Sequence, residues 1–526
     1  MKEKFRRSWA LVLVFVIVTG VCFLFAGRKS GMFIDEIYAY GLSNSHYAPF
    51  LTDIKDGEMV GKTFTRQELF DYVAVTDGER FDAGSVYYNQ VHDVHPPLHY
   101  WLLNAVCSLF PNTFTKWTGL ALNYVLYMLT MFVLYKTVRK LGYSRGSGTA
   151  AAVLYGLSVI GMSTFVMIRM YMLLTLLTVV LMYLIVCLMR EFKPKYCILT
   201  GLVLLAGLIT QYYFVFYAFF LCAGYVIYAL VKKEYKALAW FIPCTLVGAL
   251  SLLLVFPACL DHLFADNIVS GGNAMENLRN FAQYPVRLRT FISFITHGLK
   301  AAMIIALLAI IALGVYFRKF KAAAKDKRLD LRALVLIVPA IIVLVIVALI
   351  SPVDEPRYIY NLIPAFVLGV SLLLHLLEET FGSFERERLI KTAALLGIMA
   401  LALWQARCVP PDYLYPEYAE YDAIVAEHSD DKCVYFSDNM FEAITQDLLQ
   451  LMAFDDFYVS DDTDLTGALD YVGGADEFVA YVDISVFWSS GYDPDKIISA
   501  LADASDYDKA ELLYQNGLSA TYLISK

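Results

Sequence analysis

A chain of 526 residues that is 59% hydrophobic and only 17% charged lies far from the composition of a soluble domain and reads as a polytopic membrane protein. Its formal charge of −8 is unevenly spread: from Cys408 onward there are 25 Asp and Glu against four Lys, a net of −21 that leaves about +13 on the rest. Two differently solvated regions meet near Arg407, and the acidic end argues against nucleic acid as a partner, because phosphates would be repelled.

The first apolar run, WALVLVFVIVTGVCFLFAG, follows a basic MKEKFRR and has no small-x-small cleavage site ahead of Arg28, so it reads as an uncleaved signal anchor. Further windows long enough to cross a bilayer recur from Phe114 to Trp404, and these must be helical because lipid offers the backbone no hydrogen bonds. Hydropathy sets about eleven spans, near 9–27, 114–135, 147–167, 170–189, 196–210, 211–230, 237–258, 300–317, 333–351, 358–377 and 391–407. With a cytoplasmic N-terminus, the inner segments 1–8, 136–146, 190–195, 231–236, 318–332 and 378–391 hold 24 of the 42 Lys and Arg, as the positive-inside rule expects. The outer side then receives 28–113, 259–299, 352–357 and everything after Arg407.

Counting HPPLHYWLLNAVCSLF (95–110) as a span would throw Lys136, Arg139, Lys140 and Arg145 outward. It reads instead as a helix on the outer membrane surface, begun by Pro96-Pro97. In the acidic tail, CVYF and FVAYVDI have strand character while FEAITQDLLQLMAF and DKIISALADAS have helical spacing, which suggests a small extracytoplasmic α/β domain over 408–526. The expected organisation is therefore a mainly α membrane bundle over 1–407, with a first outer loop at 28–113, followed by that domain. DDTDLTGALD lacks the glycine and terminal glutamate of a calcium loop. Six cysteines lie in apolar runs; a Cys408–Cys433 disulfide is possible on the outer side, but spacing does not fix pairing.

The spans are nearly free of charge, whereas an ion-coupled transporter keeps an acid or base at mid-depth. Polar groups gather at the outer ends instead: Asp35 and Glu36 after span one, Asp93 and His95 before the surface helix, Arg169 and Tyr171 in VMIRMYML, Gln211, Tyr212 and Tyr213 in ITQYYF, Arg287 and Arg289 before span eight, and Glu355, Arg357 and Tyr358 before span ten. Such a ring suits a lipid phosphate plus an acid/base. Each member also has a plainer reading. Asp35-Glu36 suits a solvated helix start; His92, Asp93 and His95 could be metal ligands or a capping Asp among surface histidines; the arginines could snorkel to headgroups; and the tyrosines could form an aromatic belt.

Taken in order, MFIDEIYAYG, DVHPPLHYWLL, IRMYMLLTLL and EPRYIYNLIPAF resemble the bacterial members of glycosyltransferase family 39, related to dolichyl-phosphate-mannose protein mannosyltransferases and more distantly to aminoarabinose transferases acting on lipid A. The similarity covers roughly residues 9 to 407. It implies a glycosyltransferase C fold in the bacterial plasma membrane, an outer-face active site between first loop and bundle, and a polyprenyl-phosphate sugar donor, usually undecaprenyl phosphate. By the resemblance Asp35 matches the catalytic base, with Glu36 beside it; Asp93 and His95 match the polar part of the HPP motif; Arg169 and Arg357 match positions near the donor phosphate or sugar. Gln211 stands where many relatives have His before the paired tyrosines, so that role does not transfer. The expected reaction is an inverting single displacement onto an acceptor glycan, lipid or protein hydroxyl. It strictly requires no metal, since the lipid phosphate is a good leaving group, and no convincing ligand set stands out. A transporter or flippase of lipid-linked sugars is the alternative, and a sensor or partner-binding tail a third reading.

Overall fold

The computed structural model describes residues 9–264, 277–279, 281–316, 331–381, 387–438, 441–462, 464–485 and 491–526. The expected inner segment 1–8, most of that at 318–332 and part of the outer loop 259–299 fall outside the described residues. The chain forms two compact units, Met1–Ala26 with Val94–His99 and Leu120–Asp412, and Gly27–Asp93 with Tyr100–Gly119 and Tyr413–Lys526.

Among the described residues, seven helices are long and apolar enough to cross a membrane: Trp9–Arg28, Lys116–Leu141, Tyr171–Arg190, Phe214–Lys232, Tyr235–Val255, Arg332–Ile350 and Pro356–Thr380. The count rises to nine if two bent pairs each make one span. The other two of the eleven expected spans do form helices. Pro194–Leu208 has only 15 residues, short of the ~20 that a bilayer core needs, and Glu387–Cys408 carries Lys391, Gln405 and Arg407 within its length.

Polar side chains hold the bends. Arg145–Gly156 and Val159–Val166 meet at 58°, where Ser158 Oγ accepts from the Gly161 N–H at 3.1 Å and restarts the helix as its N-cap. Tyr284–Gly298 and Lys300–Val315 meet at 87°. Buried Gln405 spans that break, accepting from the Ala301 N–H at 2.7 Å and donating to Gly298 O at 2.9 Å. One amide thereby satisfies a donor and an acceptor that the break would orphan in an apolar setting. Elsewhere small residues let helices approach: a Cβ on Gly248 would lie 2.2 Å from Gly201 O, so Pro194–Leu208 and Tyr235–Leu250 pack backbone against backbone.

The second unit is built around a six-stranded sheet. Its strands are β1 Lys62–Thr65, β2 Lys432–Phe436, β3 Asp456–Ser460, β4 Glu477–Asp483, β5 Lys509–Gln515 and β6 Ser519–Ser525, in the order β1-β3-β2-β4-β6-β5. β2 lies parallel to both β3 and β4, while β1, β5 and β6 pair antiparallel. The core under it includes Val434, Phe436, Phe478, Val482, Ile497 and Leu501. The strands expected at CVYF and FVAYVDI and the helices expected at FEAITQDLLQLMAF and DKIISALADAS are present.

One expectation needs correction. The first loop was grouped by sequence with the membrane bundle, yet its KTFT segment is an edge strand of the tail's sheet, with Phe64 opposite Phe457 and their rings stacked 5.4 Å apart. Thr65 then caps Arg66–Val73 in a reciprocal box with Glu68. The Cys408–Cys433 pairing that the sequence leaves open is not formed: both are free thiols, the latter buried inside β2.

Candidate functional site

In the second unit, helix Ile34–Asn44 carries Asp35 and Glu36 in its first turn, where unpaired peptide N–H groups favour negative charge. The two carboxylates have different surroundings. Glu36 is fully buried, and its Oε2 accepts from Lys29 Nζ and from the Phe33 N–H, each at 2.8 Å. Lys29 is equally buried and also donates to Tyr413 O at 2.6 Å. Burial pulls its ammonium below the usual lysine range, with the Glu36 charge acting against that pull. The helix start is held by the tail as well: the Ser30 N–H donates to Leu414 O at 2.8 Å, and Gln446 Nε2 to Met32 O at 3.1 Å.

Asp35, by contrast, is only half-buried. Its charge reaches the Tyr38 hydroxyl, which is held well above the ordinary phenol range by burial, then by Glu442, Tyr72 and Asp35, against a hydrogen bond with Thr445. Tyr72 is raised by burial and next by Asp93. Asp35, Tyr38, Tyr72, Asp93 and the tail's Glu442 thus share one electrostatic neighbourhood, and burial raises the Glu442 carboxyl too. Asp93 also ends Ala83–His92, its N–H donating to Asn89 O at 3.1 Å. His92 Nδ1 lies 2.9 Å from Tyr88 O. Among the described residues no group of three His, Cys, Asp or Glu could hold a metal ion.

The first unit holds the arginines and His95 expected from the sequence. His95 precedes Pro96-Pro97 and is half-buried; the segment docks through the Leu98 N–H to Ile209 O at 2.9 Å. Arg169 is buried in the break between Val159–Val166 and Tyr171–Arg190. Below it in polarity, His99 is fully buried and pushed down to about 3, first by burial and then by the Arg169 charge, so this imidazole is neutral at ordinary pH. Asn123 shapes the same break, its Nδ2 donating to Phe165 O at 2.9 Å and Met167 O at 2.7 Å.

A tyrosine cluster adjoins the segment Pro356–Leu362. Tyr213 lies 5.5 Å from Tyr358, Tyr171 packs edge-on to Tyr360 at 6.1 Å, and the Arg357 guanidinium stands 5.5 Å over the Tyr358 ring with its Nε 2.9 Å from Glu355 Oε2. Tyr212 Oη lies 3.0 Å from His262 Nδ1. Arg287 and Arg289, two apart on one helix, face different ways. Arg289 is exposed, whereas Arg287 is buried, donating to Asp354 Oδ1 at 2.8 Å, Ser351 O at 2.5 Å and Ser351 Oγ at 2.7 Å. Its guanidinium clamps the turn before Pro356.

Sequence inspection missed Lys29, Tyr38, Tyr72, His99, Asn123, Glu442 and Thr445. A signal existed for two of them: His99 lies inside the HPPLHYW stretch, and Lys29 is a lone cation at the end of an apolar run, seven residues before Glu36. Glu442 has none, because it lies about 400 residues from Asp35.

These features describe a multi-pass helical membrane fold with a strand-containing C-terminal region. Its fold is similar to that of ArnT from Cupriavidus metallidurans bound to undecaprenyl phosphate, at a TM-score of 0.53 and 12% identity over 98% of each chain. The apo state of the same protein aligns at 0.48 and 13% identity over 98% of each chain. Residues 94–260 match the family model of the dolichyl-phosphate-mannose-protein mannosyltransferases. That match includes His95, Arg169, Tyr171, Tyr212 and Tyr213 and leaves Asp35 and Arg357 outside. No curated protein matches the chain significantly.

Proposed function

We propose that the protein transfers a sugar from a polyprenyl-phosphate donor, with undecaprenyl phosphate as the carrier, to an acceptor hydroxyl at the outer membrane face. The observation that carries the assignment of roles is the division between the two neighbouring carboxylates: Glu36 is consumed by Lys29 and the Phe33 N–H, while Asp35 keeps part of its surface in solvent. Asp35 is the base. As the acceptor oxygen bonds to the anomeric carbon, its proton passes to Asp35 and the bond from that carbon to the phosphate oxygen breaks, releasing lipid phosphate. One displacement inverts the anomeric centre. A positioned base contributes roughly 10²- to 10⁴-fold.

Arg169 and Arg357 are the groups proposed to stabilise the departing phosphate, since guanidinium–phosphate bonds strengthen as negative charge grows. His99, neutral beside Arg169, adds no competing cation. Arg287 keeps a scaffold role because its donors are already committed, and Glu36 is a positioning residue. The mannosyltransferase family match and the undecaprenyl phosphate in the similar fold support the donor class. No metal enters the reaction as proposed, because a phosphate leaving group needs no further activation. Acceptor contacts are assigned to residues 46–90 and to the tail that adjoins Asp35.

The test is to give purified protein a polyprenyl-phosphate-linked sugar and an acceptor pool, then follow release of lipid phosphate and formation of an inverted glycoside by mass spectrometry. The proposal expects both products from wild type. Movement of the intact lipid-linked sugar across a vesicle with no glycosidic transfer would instead establish the flippase reading.

A further inference from the structure

The two ends of the membrane unit differ in what they hold. Arg169 and Arg357 stand at one. At the other, helices Arg145–Gly156, Lys300–Val315, Pro356–Thr380 and Glu387–Cys408 line a cavity of about 380 Å³, within the size range of ligand pockets. Glu378 on its wall follows Arg357 by 21 residues in one span, a rise of about 30 Å that matches the thickness of a bilayer core. The cavity therefore lies toward the membrane face opposite to the arginines, and wholly within the membrane unit. Its wall is otherwise aliphatic, with Ala312, Leu374, Leu377, Ala394, Leu395 and Ile398. Ile390, also on the wall, is 54% exposed, and among membrane helices an apolar opening meets hydrocarbon rather than water.

A carboxylate breaks that wall. Glu378 is half-buried; one of its oxygens accepts from Ser144 Oγ at 2.7 Å and the other from Ser147 Oγ at 3.2 Å. The plain reading makes it a staple onto the start of Arg145–Gly156, where negative charge is favoured. That helix already has its cap, since Ser144 Oγ accepts from the Ser147 N–H at 3.0 Å. Both partners of Glu378 are neutral hydroxyls, and among the described residues no cation pairs with it. Each oxygen keeps a lone pair for a further donor. A carboxylate in a membrane-spanning helix is costly until a cation compensates it. Glu378 lies two residues before Thr380, the end of its span, which is the depth at which lipid headgroups bring cations within reach.

We infer that this cavity holds an acyl chain of an aminophospholipid whose primary ammonium is bound by Glu378. The chain covers the aliphatic wall and restores the dispersion contacts that an empty cavity forfeits. The ammonium donates to the carboxylate in a charge-assisted hydrogen bond. Lys391 lines the same cavity from Glu387–Cys408, and its charge suits the phosphate of the same headgroup. An acid and a base on one wall match a zwitterion, whereas an anionic lipid finds a partner in the base alone. Seated there, the lipid ties Glu387–Cys408 to the three helices across the cavity, at the membrane face away from the residues proposed to hold the departing phosphate.

This site does not depend on the glycosyltransferase reading, and its test needs no activity. Full-length wild type, Glu378→Gln and Ala394→Trp are reconstituted in nanodiscs of phosphatidylethanolamine and phosphatidylglycerol in equal parts with matched acyl chains. Each is then released into mild detergent, and native mass spectrometry identifies the lipids it retains. Wild type is expected to keep phosphatidylethanolamine over phosphatidylglycerol by at least about threefold. Glu378→Gln, whose amide oxygen still accepts from the serines, should lose that preference. Ala394→Trp, at an exposed position on the wall, should lose the preferred lipid because the indole fills the cavity. Equal retention of the two lipids by wild type would overturn the inference, and so would a preference that survives in either variant. Ala394→Trp leaves the contacts of Glu378 with the serines in place, so it decides the matter even where Glu378→Gln does not fold.

Discussion

The two units of this protein are held together by different means. In the membrane unit, buried polar side chains staple the places where helices break: Ser158, Asn123 and Gln405 each satisfy backbone groups that a bend exposes. In the loop–tail unit the organising contacts are polar and long-range, above all Lys29 with Glu36 and Tyr413. The contrast teaches where each unit is brittle. Removing one staple in the bundle should loosen one bend, whereas removing one partner of the buried ion pair should release the helix that presents Asp35.

The largest effect is expected from Glu36→Gln, which strands a buried lysine and should lower stability by about 3–5 kcal/mol. Chemical denaturation followed by alkylation of Cys433, buried in β2, would read it. If the pair is a stabilising unit rather than a catalytic one, Lys29→Met combined with Glu36→Met should recover much of the loss, and failure to recover would break the comparison. Next comes Arg287→Met, which takes their shared guanidinium partner from Asp354 and Ser351, whose carbonyl keeps Asn277 Nδ2 at 2.8 Å, and should destabilise by about 2–4 kcal/mol. Hydrogen exchange should rise around 351–362 while leaving β2 to β4 unchanged. Smaller still, Asn123→Ala should cost about 1–3 kcal/mol by orphaning the Phe165 carbonyl and leaving Met167 O with the Arg169 N–H alone, visible as faster exchange at 167–171 alone.

Acid should separate two regions by sign. His99 has a folded value near 3 against an ordinary 6.5, so the stability it lends is complete above about 6.5 and is lost as pH falls from there toward 3. In the tail, Asp447 and Asp483 are pushed up to about 6, mainly by burial. Their favourable contribution is present below about 4 and is lost as pH rises through 6. Between pH 6.5 and 4, hydrogen exchange corrected for its intrinsic rate should therefore speed up around 98–107 and slow down in β2 and β4. Parallel responses in both regions would contradict these assignments.

How much of this could be read from sequence follows the same division. Spans declare themselves by local apolar runs, so nine of the eleven expected segments coincide with a candidate span or a bent pair, and the other two form helices that are too short or too polar to pass. Bends were invisible because Ser158 and Gln405 act on groups fixed only by the bend itself. CVYF and FVAYVDI were legible as buried strands, but KTFT is four residues on a sheet edge with one buried position, too short for a periodic signal, and its partner β3 lies nearly 400 residues away. The Asp-Glu pair was legible as a site. What each carboxylate does was not, because the division rests on Lys29, on Tyr413 and on which side of one helical turn is buried.

The central claim is that division, and the most direct measurement sets Asp35→Asn beside Glu36→Gln, recording lipid-phosphate release and thermal unfolding for each. The account predicts that Asp35→Asn melts like wild type yet loses at least about 10²-fold in turnover, while Glu36→Gln melts well below wild type and, at a temperature where it remains folded, loses less turnover per folded molecule than Asp35→Asn. Wild-type turnover in Asp35→Asn, or a complete loss in folded Glu36→Gln, would contradict it.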